Sequence, residues 1–201
     1  MRRHYRVSPW NEFMEIHWGP RAQAYVTPIS GQEVCIVTMA EKAEDAEFEG
    51  ALEPMPELRE RLTGAQLSSR ERGAITTMCS LRRVSHGNVA LVGDASGGVD
   101  AITGEGLRLS FCQANALAEA MRLNDLGQYE SAHRKLAQRP MWMGRLMLQL
   151  GRHGWLRERA MRAMRNQPEI FARMLAVHVG RTTPGNVVAA AARLGWEFLS
   201  A

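Results

Sequence analysis

The chain has 201 residues, of which 45% are hydrophobic and 23% charged, and its formal net charge is +4. This composition is that of a folded domain and excludes a disordered chain. The mild positive charge permits an anionic partner without requiring one. The sequence contains no apolar run of about 18 residues, the length that spans a membrane, and no signal peptide is recognisable. We therefore expect a cytoplasmic protein, soluble or at most peripheral at the inner membrane face.

The first third of the chain has the patterns of β-structure. Residues 12–18, EFMEIHW, alternate between two faces, which is typical of a half-buried strand. The runs AQAYVTPI and EVCIVTM are β-rich and are separated by Ser-Gly-Gln, which predicts a tight turn. Three antiparallel strands in a meander are the simplest arrangement. Residues 41–61 are acidic and predict short surface helices interrupted by Pro54 and Pro56, and AITTMCSL, residues 74–81, predicts a further strand.

The three cysteines, Cys35, Cys79 and Cys112, are far apart, and each stands in an apolar run. No Cys-x-x-Cys spacing occurs, so neither a zinc site nor a disulfide framework is expected. We expect all three to be buried, reduced thiols, and we expect no metal site.

Residues 88–94, NVALVGD, form a short apolar segment typical of a strand buried in a parallel sheet. Such a strand would deliver the Asp94 carboxylate at its carboxyl end, where open α/β sheets bind ligands. Gly97 and Gly98 lack Cβ atoms, so that the backbone can pass close to a bulky ligand. A helix is predicted from about Gly104 to Leu123, and the positive end of its dipole favours negative charge at its start.

The segment GDASGGVDAITGEGL, residues 93–107, resembles the second flavin-binding motif of FAD-dependent oxidoreductases with the p-hydroxybenzoate-hydroxylase fold. Within that group it is most similar to the geranylgeranyl-reductase-related branch. The resemblance implies that Asp94 binds hydroxyls of the FAD ribityl chain and that the helix start lies beside the flavin ring. The cofactor-binding residues implied are Gly93, Asp94, Gly98, Gly104, Glu105, Gly106 and Leu107.

Residues 17–30, HWGPRAQAYVTPIS, are similar to the substrate-domain sheet of the same family. The resemblance implies a substrate cavity near Tyr25, Thr27 and Pro28, and a small apolar or lipid-like substrate. NAD(P)H would reduce the FAD, which would then pass a hydride to a double bond or activate oxygen. Because the flavin carries the chemistry, no catalytic side chain is assigned.

Family members begin with a GxGxxG unit that holds the FAD pyrophosphate, and no such unit occurs here. The sole Gly-x-Gly spacing in the sequence is Gly104-Glu105-Gly106. We therefore interpret the chain as the C-terminal part of such an enzyme, with a separate N-terminal FAD-binding half as a candidate partner, and expect it to bind FAD weakly or not at all alone. The expected fold class is α+β, a fragment of an α/β FAD-binding fold. Its predicted parts are a substrate-domain sheet (1–82), the flavin-site strand, loop and helix (83–125) and a helical cap (126–201).

The last part of the chain is predicted to be helical, with breaks at Gly127, Pro140, Gly151, Gly154, Pro168 and Pro184-Gly185. Residues 134–165 are strongly basic. One interpretation is a helical cap whose apolar stripe packs on the sheet. The other is an interfacial helix on an anionic membrane, with Trp142 and Trp155 at the boundary. Nucleic-acid binding is not expected, because no aromatic-interleaved platform is present. The alternative to an enzyme is a non-catalytic domain that binds a partner chain or a membrane.

Overall fold

A computed structural model describes residues 1–180 of the chain. The chain divides into two compact units, one of residues 1–75 and one that begins at Thr76. The predicted division into three parts, with boundaries after residues 82 and 125, stays a prediction. We describe each unit by itself.

The first unit is built on a five-stranded antiparallel sheet. The strands are β1 (Arg2–Arg6), β2 (Glu15–Trp18), β3 (Ala22–Ser30), β4 (Glu33–Ala40) and β5 (Gln66–Leu67). Their order in the sheet is β2-β3-β4-β1-β5. The predicted meander is confirmed as β2, β3 and β4, while β1 adds to the free edge of β4 and is not among the predicted strands.

The core of the first unit lies between one face of this sheet and two short helices, α1 (Phe48–Leu52) and α2 (Pro56–Leu62). The helices predicted in the acidic segment are therefore confirmed, and Pro56 stands at the first position of α2, where a proline is tolerated. They are not merely a solvated face, however, because they supply core side chains. The buried cluster includes Ala24, Val26, Val34 and Ile36 from the sheet and Phe48, Leu52 and Leu58 from the helices.

The second unit begins without the strand predicted at residues 74–81, which have no regular secondary structure. The parallel strand predicted at residues 88–94 is also wrong: only Val89–Ala90 (β7) is a strand, paired antiparallel with Ser85–His86 (β6). Both segments have strand composition, but a strand in a parallel sheet needs neighbouring strands. The described residues of this unit supply no such neighbours.

Up to residue 180, four α-helices follow: α3 (Gly106–Arg122), α4 (Leu126–Arg152), α5 (Gly154–Asn166) and α6 (Pro168–His178). The helix predicted from about Gly104 to Leu123 is confirmed as α3, and the breaks at Gly154 and Pro168 are confirmed. The break at Pro140 is wrong, because Pro140 lies inside the 27-residue α4. The proline ring is fully buried, so its packing offsets the hydrogen bond that a proline removes from a helix. Gly127 and Gly151 lie in the first and last turns of α4 and do not break it, and Pro184-Gly185 falls outside the described residues.

The cysteine prediction holds for one residue of three. Cys35 is buried, and burial raises the pKa of its thiol. Cys79 is exposed, in a segment where the predicted strand does not form, and Cys112, on α3, is half-buried. Within residues 1–180, no helix combines the length and apolarity needed to span a membrane.

Candidate functional site

The turn that carries Asp94 is fixed by glycine. Val92 is extended, and Gly93 follows with a φ of +64°, opening a 3-10 turn over Gly93–Ser96. Gly97 ends the turn with a φ of +118°. Both φ values lie in the region that side chains with a Cβ rarely adopt. The Asp94 carboxylate is left exposed at the surface, where it can accept hydrogen bonds from a ligand.

A buried polar network holds this turn from behind. The Gln113 side-chain oxygen accepts a hydrogen bond from the Gly93 N–H, at 2.9 Å. The Ser96 hydroxyl lies 2.8 Å from the Gly93 carbonyl and 2.9 Å from His133 Nε2. Since a hydroxyl has one proton and the Gly93 carbonyl can only accept, we assign His133 Nε2 as the donor to Ser96. The exposed fractions of Ser96, Gln113 and His133 are 0%, 1% and 9%, so solvent cannot replace these bonds.

The start of α4 fixes the hairpin that leads into the turn. The Tyr129 hydroxyl donates to the Leu91 carbonyl at 2.5 Å. The Glu130 carboxylate accepts from the backbone N–H groups of Val84 and Ser85 at 2.8 and 2.7 Å. Together with His133, these side chains make α4 a support for the strand and turn before the site.

Gly97 and Gly98 permit close approach to the protein's own backbone. A Cβ at Gly97 would lie 2.8 Å from the Cys79 carbonyl oxygen, and one at Gly98 would lie 3.0 Å from that of Thr77. The Cys79 N–H also donates to the Gly98 carbonyl at 2.9 Å. The side on which a Cβ would project at these two glycines is therefore filled by residues 77–79, and contact of Gly98 with a cofactor stays a prediction.

The start of α3 is open. Gly104 has a φ of +65° and ends a 3-10 turn over Ala101–Thr103, and no side chain caps the first turn of α3. The first N–H groups of a helix have no acceptor within it. A Cβ built at Gly104 or Gly106 would meet nothing within 4 Å, and Leu107 is 77% exposed. Backbone donors and free space thus coincide at this helix start.

The Glu105 side chain points away from this open surface. It is 5% exposed, accepts a hydrogen bond from Arg108 Nε at 2.6 Å, and lies 3.6 Å from His178 Nε2. The hydrogen bond to Glu105 raises the pKa of Arg108. Its carboxylate is committed to the fold, its backbone N–H donates to Thr103 Oγ1 at 3.3 Å, and its carbonyl accepts from the Leu109 N–H at 2.9 Å. The donors that a cofactor could contact at this helix start are therefore the N–H groups of the first turn of α3.

A cavity of about 360 Å³ lies in the second unit, where Gly97, Gly98, Cys79 and Ser80 form part of its lining. One wall is a face of α4 that presents Arg134, Gln138 and Arg145. Its described lining contains no Asp or Glu, which favours a neutral or anionic occupant. Within residues 1–180, no group of three or more His, Cys, Asp or Glu side chains is placed to hold a metal ion.

The three residues predicted for the substrate cavity lie in β3 of the first unit. Ala24 and Val26 face the core, so strand alternation places Tyr25 and Thr27 on the opposite face and Pro28 on the core face. The Tyr25 hydroxyl donates to the Gln23 side chain at 3.0 Å. The structure thus brings Tyr25 and Thr27 together and separates Pro28 from them.

No family model and no curated protein matches the chain. Among solved structures, the flavin-dependent brominase Bmp2 is similar with a TM-score of 0.53 and 17% identity, over 96% of this chain and 49% of the brominase chain. A triple mutant of Bmp2 gives the same TM-score at 16% identity, over 98% and 50%. A mutant of Pseudomonas aeruginosa PqsL gives a TM-score of 0.50 at 24% identity, over 75% of this chain and 45% of that one.

These similarities show the fold. The chain is a mixed α+β protein with the fold of a flavin monooxygenase fragment, and it spans about half the length of the solved structures that it matches. The similarity is to monooxygenase-type structures. Assignment to the geranylgeranyl-reductase-related branch stays a prediction.

The support for the site was not found from the sequence. Gln113 stands four residues after buried Leu109, on the inner face of α3, and a glutamine there was a usable signal of a buried hydrogen bond. Tyr129 and His133 have the same spacing in α4, on the face that supports the turn. Their partners are distant in sequence, so local patterns could not identify them.

We predict that Gln113→Leu lowers the free energy of unfolding by about 1–3 kcal/mol, because the Gly93 N–H loses its acceptor. Urea unfolding measures the loss, and amide hydrogen exchange should show faster exchange at Gly93. Asn115→Leu, at an exposed position of α3, is the control and should change stability by less than about 0.5 kcal/mol. Unchanged exchange at Gly93 in the Gln113 variant would contradict the assignment.

We predict that His133 makes the chain less stable in acid. Burial lowers the pKa of His133 in the folded chain, so the unfolded chain binds its proton first as the pH falls below about 6.5. The stability from neutral His133 is therefore present above that pH and is lost as the pH falls toward the lower folded pKa. Urea unfolding between neutral and acidic pH should show a weaker pH dependence for His133→Gln. An equal dependence in both chains would refute this role.

Proposed function

We propose that this chain is the C-terminal, flavin-contacting part of an FAD-dependent oxidoreductase of the reductase or monooxygenase type. The observation that carries the proposal is the pairing of an exposed Asp94 with the open start of α3. The turn at Gly93–Ser96 packs on α3 and is bonded to it through Gln113, so one helix supports both features. The monooxygenase-type fold supports the same interpretation.

The residues present fit FAD. Asp94 would accept hydrogen bonds from ribityl hydroxyls, and the uncapped N–H groups at the start of α3 would stabilise the negative charge that a reduced flavin ring carries. Free space at Gly104 and Gly106 leaves room for that ring, and exposed Leu107 offers it an apolar contact. When bound and reduced by a nicotinamide, FAD would supply a hydride or activate oxygen.

For the substrate, we propose a small apolar or lipid-like molecule beside the outer face of β3. Tyr25 and Thr27 share that face, and both are at least half-buried. Because Pro28 lies on the core face by alternation, Tyr25 and Thr27 are the better candidates to contact substrate.

FAD binding by the 201-residue chain tests the assignment of Asp94. We expect weak binding, since the chain has no GxGxxG unit, and Asp94→Ala should weaken it about tenfold or more, because a hydrogen bond to a charged group contributes about 1.5–3 kcal/mol. Quenching of flavin fluorescence measures the dissociation constant. Glu119→Ala removes an exposed carboxylate elsewhere on α3 and should leave binding unchanged. Near-stoichiometric flavin in the purified chain would refute the expected weakness, and an equal effect of both variants would refute the role of Asp94.

The second candidate function is peripheral membrane binding by the basic helices. It is favoured by the exposure of Trp142 and Trp155, whose exposed fractions are 53% and 63%. Tryptophan prefers the membrane boundary, and neighbouring arginines attract anionic lipid.

Co-sedimentation with liposomes tests this second function. If it holds, the chain sediments with vesicles that contain phosphatidylserine but not with phosphatidylcholine alone, and Trp142→Ser with Trp155→Ser reduces the bound fraction several-fold. Equal sedimentation with both vesicle types, or none with either, leaves the basic helices as a cap.

A further inference from the structure

The lining of the cavity of about 360 Å³ in the second unit combines apolar and cationic residues. Two arginines of α4, Arg134 and Arg145, line it, with Gln138 between them in the chain. The apolar members of the lining come from four parts of the chain: Leu81, Val99, Leu109, Ala137, Met141 and Trp142. A cavity of this size with an apolar wall and a few polar groups is typical of a small-molecule site.

The two arginines differ in their surroundings. Arg134 stands one turn after Glu130 in α4, and the two charges are close enough to interact. The residues one turn before and one turn after Arg145 are Met141 and Gln149, which carry no charge. The described lining of the cavity contains no Asp or Glu either. Arg145 is therefore the arginine whose charge the described lining leaves unbalanced.

One acidic residue, Asp100, lies near this part of α4 but has another role. A Cβ built at Gly144 would lie 3.6 Å from the Asp100 Cβ. The Asp100 carboxylate accepts a hydrogen bond from the Ile102 N–H at 3.0 Å and caps the 3-10 turn before α3. Because that carboxylate holds the turn and does not belong to the described lining, it leaves Arg145 available to a ligand.

The position of Arg145 on α4 indicates the shape of a ligand. A long side chain in a helix leans toward the N-terminus of the helix, which directs the Arg145 guanidinium toward Met141 and Trp142. Gln138 precedes Arg145 by seven residues, or about 10 Å along the helix. A ligand that pairs with Arg145 therefore has an apolar strip of about this length beside it. One guanidinium balances one negative charge, and its planar fork fits a carboxylate.

We propose that this cavity binds a medium-chain carboxylate, with the carboxylate group on Arg145 and the alkyl chain against Met141 and Trp142. The cavity lies in the second unit, whereas the face of β3 proposed for substrate lies in the first. Residues 96–98 belong to the lining, so the bound molecule packs against the end of the turn that carries Asp94. The inference uses no flavin contact and does not rest on the proposed function.

Isothermal titration calorimetry of the 201-residue chain with octanoate tests the proposal. We expect saturable one-to-one binding, and Arg145→Gln should weaken it about tenfold or more, because a hydrogen bond between two charged groups is lost. Trp142→Ala should weaken it several-fold. Lys135→Gln removes the same charge at a position of α4 outside the described lining and should leave the dissociation constant unchanged. All three positions are exposed, and circular dichroism verifies that each variant folds.

Matched ligands test the chemistry, and NMR tests the location. Octanol has the same chain length without the charge and should bind about tenfold more weakly or worse. Octyl phosphate carries a larger head group and should bind no more tightly than octanoate. On addition of octanoate, the backbone amide signals of residues 97–99 should shift, and those of β3 should not.

Four outcomes would overturn the proposal. The first is no saturable binding of octanoate, and the second is an equal effect of Arg145→Gln and Lys135→Gln. The third is octanol or octyl phosphate that binds more tightly than octanoate, which would assign the cavity to neutral molecules or to phosphate esters. The fourth is a set of amide shifts confined to β3, which would place octanoate on the proposed substrate face. Because FAD is absent from every titration, failure of flavin binding leaves these results unchanged.

Discussion

The hydrogen bond from the Gly93 N–H to Gln113 is the contact on which the candidate site depends. It links the turn that exposes Asp94 to the helix whose first residues form the rest of the site. Because Gln113 lies on α3 itself, the carboxylate and the helix start share one rigid support. A binding site on a regular element is held more precisely than one on separate loops.

The same turn is supported from a second side by α4. Tyr129, Glu130 and His133 fall within the first two turns of that helix and bond to Leu91, to Val84 and Ser85, and to Ser96. The hairpin of β6 and β7 has only two residues in each strand, and so short a ladder is marginal alone. The side chains of α4 therefore supply hydrogen-bond partners to the backbone of this hairpin, as neighbouring strands would in a larger sheet.

The sequence predicts those features that depend on residues close together in the chain, and it misses those that depend on distant residues. Positive φ at Gly93 and Gly104 and the start of α3 depend on residues close in the chain, and the motif contains those residues. The strand over residues 74–81 was predicted from composition, but a strand forms only with a partner, and none is present among the described residues of the second unit. The bond between Gln113 and Gly93 spans 20 residues, which no local pattern encodes. At Pro140 the local signal predicts a helix end, but α4 continues through it because burial of the proline ring, a long-range contact, outweighs that signal.

Three features of the described chain have a common physical basis. The apolar segment at residues 88–94 forms only a two-residue strand, residues 74–81 have strand composition without a strand, and α3 exposes Leu107, Phe111 and Met121. Each is a feature whose stable form requires a neighbour: a strand on either side, or a layer over the helix. The described residues supply no such neighbour, and composition alone therefore predicts strands that the second unit does not form.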